Sequence, residues 1–188
     1  MISIRPLLLA ALLLPLAAGH ASIIADDKKT DSSAGGPLVT RERVQLNLAG
    51  AELIIAAAKQ KGAALGLKLN IAVVDDGGHL LAFARMDGAR PASGYTAITK
   101  AATAATFRQS TGPLPPNAEP DLLLNLSLQN AAAASGGKIT TLKGGVPVIV
   151  DGQVIGGVGV GGGTGEQDAE VAKAGIQSLL DALSDKNH

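Results

Sequence analysis

Apolar residues step by four and three from Val44 through Leu48, Ala51, Ile55 and Ala58, a spacing that lines one face of a helix. Thr40 is placed to N-cap this helix, Glu42 suits its first turn, and Gly62 follows Lys59 and Lys61 as a C-cap. Leu69–Val74 and Leu80–Ala84 are short runs rich in branched residues, separated by Asp75-Asp76-Gly77-Gly78-His79. That arrangement predicts a β-hairpin. An Ala/Thr stretch from Ala92 to about Arg108 predicts a second helix, which Thr111-Gly112-Pro113-Leu114-Pro115-Pro116 breaks. Pro120–Ala133 reads as a shorter third helix with Pro120 in its first turn. Lys138–Leu142, Val146–Val150 and Gln153–Val160 read as three strands, the last two joined by the two-residue hairpin signal Asp151-Gly152. Asp168–Leu183 closes the pattern as a helix with Ala169, Ala172, Ile176, Leu179 and Leu183 on one face.

Strands joined by hairpins pair antiparallel. The expected fold is therefore α/β of the α+β kind, an antiparallel sheet of about five strands covered by helices. This order decides how Gly157-Val158-Gly159-Val160-Gly161-Gly162 is read. The run matches the dinucleotide pattern G-x-G-x-x-G, but that pattern needs a parallel βαβ unit, and only one helix follows it. Two readings stay open. The Gly161–Gly165 loop feeds a helix start whose N–H groups suit a carboxylate or phosphate, or the glycines serve close packing at a strand end.

The N-terminus lies outside this scheme. Arg5, an apolar run from Leu7 to Ala18 and the small-residue site Gly19-His20-Ala21 have the layout of a secretory signal peptide, residues 1–21. Twelve apolar residues are too few to span ~30 Å of hydrocarbon, so stable membrane insertion is not expected. A polar, Gly/Ser-rich leader covers residues 22–39, and the folded domain covers 40–188. The expected location is periplasmic or secreted.

Composition narrows the chemistry. Sixteen Lys and Arg balance sixteen Asp and Glu in 188 residues, which gives none of the basic excess expected of a nucleic-acid binder. Without Cys there is no thiolate nucleophile or thiolate metal site. Cleavage after Ala21 removes His20, leaving His79 as the one internal imidazole. Asp75, Asp76 and His79 form the densest polar group, where a carboxylate can orient an imidazole for metal ligation or proton transfer. The same residues also satisfy a plain turn. No G-x-S-x-G elbow supports a Ser-His-Asp triad. Arg85 and Arg90 can pair with ligand carboxylates or with surface acids. Met86 reads as a gap-filler, and Lys100 and Arg108 as a solvated helix face.

Taken together, these residues resemble a known family. Val73–Ala89, with its Asp75-Asp76-Gly77-Gly78-His79 centre and Arg85-Met86-Asp87-Gly88 end, is similar to the signature of the GlcG/HbpS-like family, the haem-degrading domain or DUF336. Further matches are Lys100–Phe107, Thr111, Gly144-Gly145-Val146-Pro147, Ile155–Val160 and Glu166-Gln167-Asp168, so that the resemblance spans roughly residues 41–183. It implies a profilin-like sandwich, a homo-oligomer, and binding of haem or another tetrapyrrole, with a sensor protein as a partner in the extracellular branch. By the same resemblance Thr111 occupies a position associated with haem binding, and His79 is the candidate metal ligand. The first helix lacks the His that ligates the tetrapyrrole in a relative, which points to a solvent-exposed or subunit-interface site. Arg85, Arg90 and the loop containing Gly162 and Gly163 are candidates for the propionates. The alternative function is an enzyme or carrier acting on a small hydroxy acid or related carboxylate. The glycine-rich helix start and an arginine would hold its anion, with Asp75 or His79 as acid/base. A third possibility is a signalling partner that binds neither ligand.

Overall fold

The computed structural model describes residues 43–116 and 118–185; the expected signal peptide, the whole of the expected leader and His188 lie outside them. Helix α1 spans Leu48–Ala64, strands β1 Asn70–Asp75 and β2 Leu80–Arg85, helices α2 Ala92–Phe107 and α3 Leu122–Ala134, strands β3 Gly145–Val150 and β4 Gln153–Gly161, and helix α4 Gly165–Asp185. The sheet has the order β2-β1-β4-β3, with every neighbouring pair antiparallel. The α+β sandwich is as expected, with four strands among the described residues where about five were expected.

Lys138–Leu142 is the segment that differs. Its β-branched residues Ile139, Thr140 and Thr141 suit a strand, yet its backbone is tied by side-chain hydroxyls. Thr140 N–H donates to Thr103 Oγ1 at 3.0 Å, Leu142 N–H to Thr140 Oγ1 at 3.1 Å, and Thr111 Oγ1 donates to the Leu142 carbonyl at 2.6 Å. Helix α1 differs at both ends. Asn47, whose Oδ1 accepts from Gly50 N–H at 2.9 Å, caps it. Its 17 residues run past Gly62, which is buried within the helix. Residues 43–47 are not helical, and Leu46 enters the core from that segment. Thr40 lies outside the described residues. The Asp151-Gly152 hairpin forms as expected, with φ of 49° and 72° at its two central residues, the left-handed pair that a type I′ turn requires.

The two faces of the sheet are built differently. On one, Ile71, Val73, Val148, Val158 and Val160 pack with Ala51 and Ile54 of α1 and with Val171, Ile176 and Leu179 of α4. On the other, α2 lies almost directly on β4. Gly157, Gly159 and Gly161 recur every second residue and so face α2 together. A Cβ at Gly161 would stand 2.6 Å from the Ser93 carbonyl, and one at Gly157 2.9 Å from the Ala105 nitrogen. A Cβ at Gly159 would collide with the Ala97 carbonyl and the Ala101 nitrogen. Their opposite numbers on α2 recur every fourth residue: Ser93, Ala97, Ala101 and Ala105. Two strand residues rise about 6.7 Å and four helical residues about 6.0 Å, so the small residues of the two elements stay in step. The run that resembles a dinucleotide motif is the seat of a helix.

No helix among the described residues is long and apolar enough to cross a membrane. Helix α3 buries none of its residues and has no charged side chain along Leu122–Ala134.

Candidate functional site

Strand β1 carries polar groups at both of its ends, roughly 17 Å apart along the strand. At its start is Asn70, wholly buried, whose Nδ2 donates to the Arg90 carbonyl at 3.0 Å. At its end is Asp75, which organises the β1–β2 turn. Asp75 Oδ1 accepts from Gly77 N–H at 2.9 Å and from His79 N–H at 2.8 Å. His79 Nδ1 lies 3.3 Å from the same oxygen, and its side chain is 83% exposed. The carboxylate therefore orients the imidazole, the arrangement expected of a ligating histidine, while Nε2 faces away from it. The neighbouring Asp76 pairs with Arg43.

This turn adjoins an apolar shelf. Gly78 of the turn approaches Ala102 and Thr106 of α2, and Gly94 near the start of α2 approaches the Phe83 ring. Leu80 and Phe83 of β2 are exposed, as is Tyr95 of α2 at 80%. Tyr95, Ile98 and Ala102 share one helical face by spacing. All three aromatic residues of the chain, Phe83, Tyr95 and Phe107, lie on α2 or β2 with large exposed fractions, and none is in the core.

The other end of β1 opens on a polar cleft of about 570 Å³ between the starts of α2 and α4. Arg90, Gly162 and Gly163 line it, as do Ser93, Thr96, Lys100, Thr141, Lys143, Glu166 and Asp168. His79 and Arg85 do not line it; Arg85 is exposed at the end of β2. Thr111 sits behind it, buried, accepting from Gly145 N–H at 2.8 Å and donating to the Leu142 carbonyl at 2.6 Å. Its hydroxyl is thus engaged in joining two backbone segments. The expected sites divide into two groups: His79 at the turn, and Arg90, Gly162 and Gly163 at the cleft.

Lys100, expected on a solvated face, is instead buried beneath the cleft. Its Nζ donates to Asp168 Oδ2 and to the Val160 carbonyl, both at 2.8 Å. Asp168 Oδ1 accepts from Gly163 N–H at 2.9 Å. The start of α4 is capped from within: Thr164 N–H donates to Gln167 Oε1 at 2.9 Å, and Gln167 N–H to Thr164 Oγ1 at 3.2 Å, a reciprocal capping box. Much of the helix-start donor set is therefore engaged by the chain's own side chains. The Glu166 carboxyl is held below the usual carboxylate range, first by a backbone hydrogen bond and then by Lys143 at 3.1 Å.

The sequence places this architecture among known proteins. It is 43% identical to the protein GlcG of Escherichia coli over 120 residues, covering 64% of this chain and 84% of that protein. The Klebsiella pneumoniae protein ORFY superposes with a TM-score of 0.65 at 30% identity, covering 77% of this chain and 98% of that one. The PduOC–haem complex superposes with a TM-score of 0.58 at 25% identity, covering 72% and 95% of the two chains. Residues 46–177 match the family described as haem degrading protein HbpS-like, and the chain belongs to that family.

Proposed function

We propose that the mature chain is an exported, homo-oligomeric protein that binds haem on the shelf between α2 and β2, with His79 as its iron ligand. The observation that carries this reading is an Asp75-oriented imidazole at the end of the sheet face on which Leu80 and Phe83 are exposed. Leu80, Phe83 and Tyr95 offer apolar area to a planar macrocycle. Among the described residues no group of three or more His, Asp or Glu could hold a metal ion. A metal at His79 must therefore bring most of its ligands with it, as an iron porphyrin does. Family membership and the haem-bound PduOC structure support the ligand. The exposed leucines of α3, Leu122 and Leu123 above all, support self-association. Sequestration or sensing of haem, with a sensor protein as partner, follows from this assignment.

Hemin added to the folded protein is expected to give a saturable Soret shift, which His79→Ala reduces by at least tenfold in affinity, the scale of a lost charge-assisted or ligand contact. An unchanged titration in His79→Ala removes His79 as the ligand. No saturable shift in the wild-type protein removes haem binding altogether. Export is tested on its own: mature protein recovered from the extracytoplasmic fraction should begin at Ser22, and recovery of the intact N-terminus in the cytoplasm contradicts it.

A further inference from the structure

The cleft at the start of β1 has a character quite different from the shelf. Its walls are hydroxyls, backbone and charge, with Pro113 and Leu142 as the principal apolar side chains, which makes it a poor seat for a porphyrin and a good one for a hydrated anion. The charges on its lining are three cations, Arg90, Lys100 and Lys143, against two carboxylates, Glu166 and Asp168. Lys100 pairs with Asp168 and Lys143 with Glu166. Among the described residues Arg90 has no carboxylate partner, so one positive charge is left over, and it sits on the side chain best shaped for a carboxylate.

Arg90 is also held in place. Its Nε donates to Ser93 Oγ at 3.0 Å, and its carbonyl is fixed by Asn70 Nδ2. Asn70 makes that bond from a wholly buried position while its own Oδ1 has no donor among the described residues. A buried acceptor without a partner is costly, and the Arg90 carbonyl is what Asn70 holds. With Nε engaged, both terminal amino groups of the guanidinium remain for an end-on carboxylate. Around them, Ser93 Oγ accepts from Arg90 and keeps its own hydrogen free. Thr96 Oγ1 donates to the Ser93 carbonyl at 3.0 Å and keeps its lone pairs. Thr141 adds a third hydroxyl to the lining.

We propose that this cleft is a binding site for a hydroxylated monocarboxylate, with Arg90 taking the carboxylate and the hydroxyls of Ser93, Thr96 and Thr141 taking those of the ligand. The single surplus charge selects a monoanion, and the polar lining selects a hydroxylated one. A cleft of about 570 Å³ has room for a sugar acid as well as for a three-carbon hydroxy acid. The site is separate from His79 and does not depend on haem.

The test is calorimetric titration of the full mature protein with D-gluconate and L-lactate, beside D-glucose and inorganic phosphate. Gluconate is expected to bind saturably, lactate more weakly, and glucose not at all. Arg90→Gln, at an exposed position that leaves the fold intact by circular dichroism, should weaken gluconate about 10- to 100-fold, the effect of losing one charge-assisted pair. Lys173→Gln, an exposed charge change on α4 outside the cleft, should leave it unchanged. Absence of gluconate and lactate binding overturns the proposal, as does binding that survives Arg90→Gln. Phosphate binding as tight as gluconate would show a general anion site and overturn the assigned ligand class.

Discussion

Adding one methyl group at Gly159 should be worse for this protein than removing two at the adjacent position. Gly159→Ala places a Cβ on the Ala97 carbonyl and the Ala101 nitrogen. Ordinary overpacking costs about 1–3 kcal/mol because neighbouring side chains can change rotamer. Here the obstructing atoms are helix backbone, and relief requires α2 to lift off the sheet along with the bonds that Lys100 makes to Val160 and Asp168. The expected cost is above about 4 kcal/mol, in the range reserved for severe core lesions, and enough to unfold a marginally stable domain. Val158→Ala, on the opposite face and fully buried, should cost roughly 2–3 kcal/mol by loss of burial and the cavity left behind. Urea unfolding of the two variants ranks them. A Gly159→Ala protein as stable as wild type would mean that α2 has slack over β4 that the close approach does not show.

The second large effect concerns the buried ion pair. Lys100→Met is close in shape but strands the Asp168 carboxylate, whose other hydrogen-bond donor is the Gly163 N–H. Removing one member of a buried pair costs about 3–5 kcal/mol, because the remaining charge is left without compensation. The double variant Lys100→Met with Asp168→Leu removes both charges, and it should be more stable than Lys100→Met alone. Chemical denaturation of wild type, the single variant and the double variant decides the matter. If the double variant is the least stable of the three, the pair acts through Val160 and Gly163 and not through its charges. Because Asp168 also fixes Gly163 on the cleft wall, the pair shapes the cleft from below without supplying its surplus charge.

The pair was visible in the sequence only as a discord. Asp168 falls in phase with Val171, Ala172, Gly175, Ile176 and Leu179, all buried in α4. Lys100 falls in phase with the small buried residues of α2, among them Ala97, Ala101 and Ala104. An acid inside one apolar stripe and a lysine inside another suggest a cross-element pair, but nothing local tells which two stripes meet. The hairpins were legible because turns are local: Asp151-Gly152 sets its own backbone angles. Lys138–Leu142 misled for the same reason. Its β-branched composition is local, while its actual partners, the hydroxyls of Thr103 and Thr111, are brought to it by the tertiary fold. Val44 continued a helical spacing, but the helix starts only after Asn47, and the approach segment instead buries Leu46 in the core. The candidate site was legible as residues and not as places. The family resemblance assigned His79, Arg90, Gly162 and Gly163 to one haem site, yet they lie at opposite ends of β1.

The close seat of α2 on β4 has a consequence for how such a sheet can change over time. On the face covered by α1 and α4, branched side chains interlock, and exchanges among Val, Ile and Leu alter volume by a methyl group at a time. On the α2 face Gly157 and Gly159 meet helix backbone, and no smaller residue exists to compensate a larger neighbour. Sequence drift is thus more open on one side of the sheet and nearly closed on the other, and a pattern of alternating free and frozen positions over Gly157–Gly161 is what that asymmetry leaves behind.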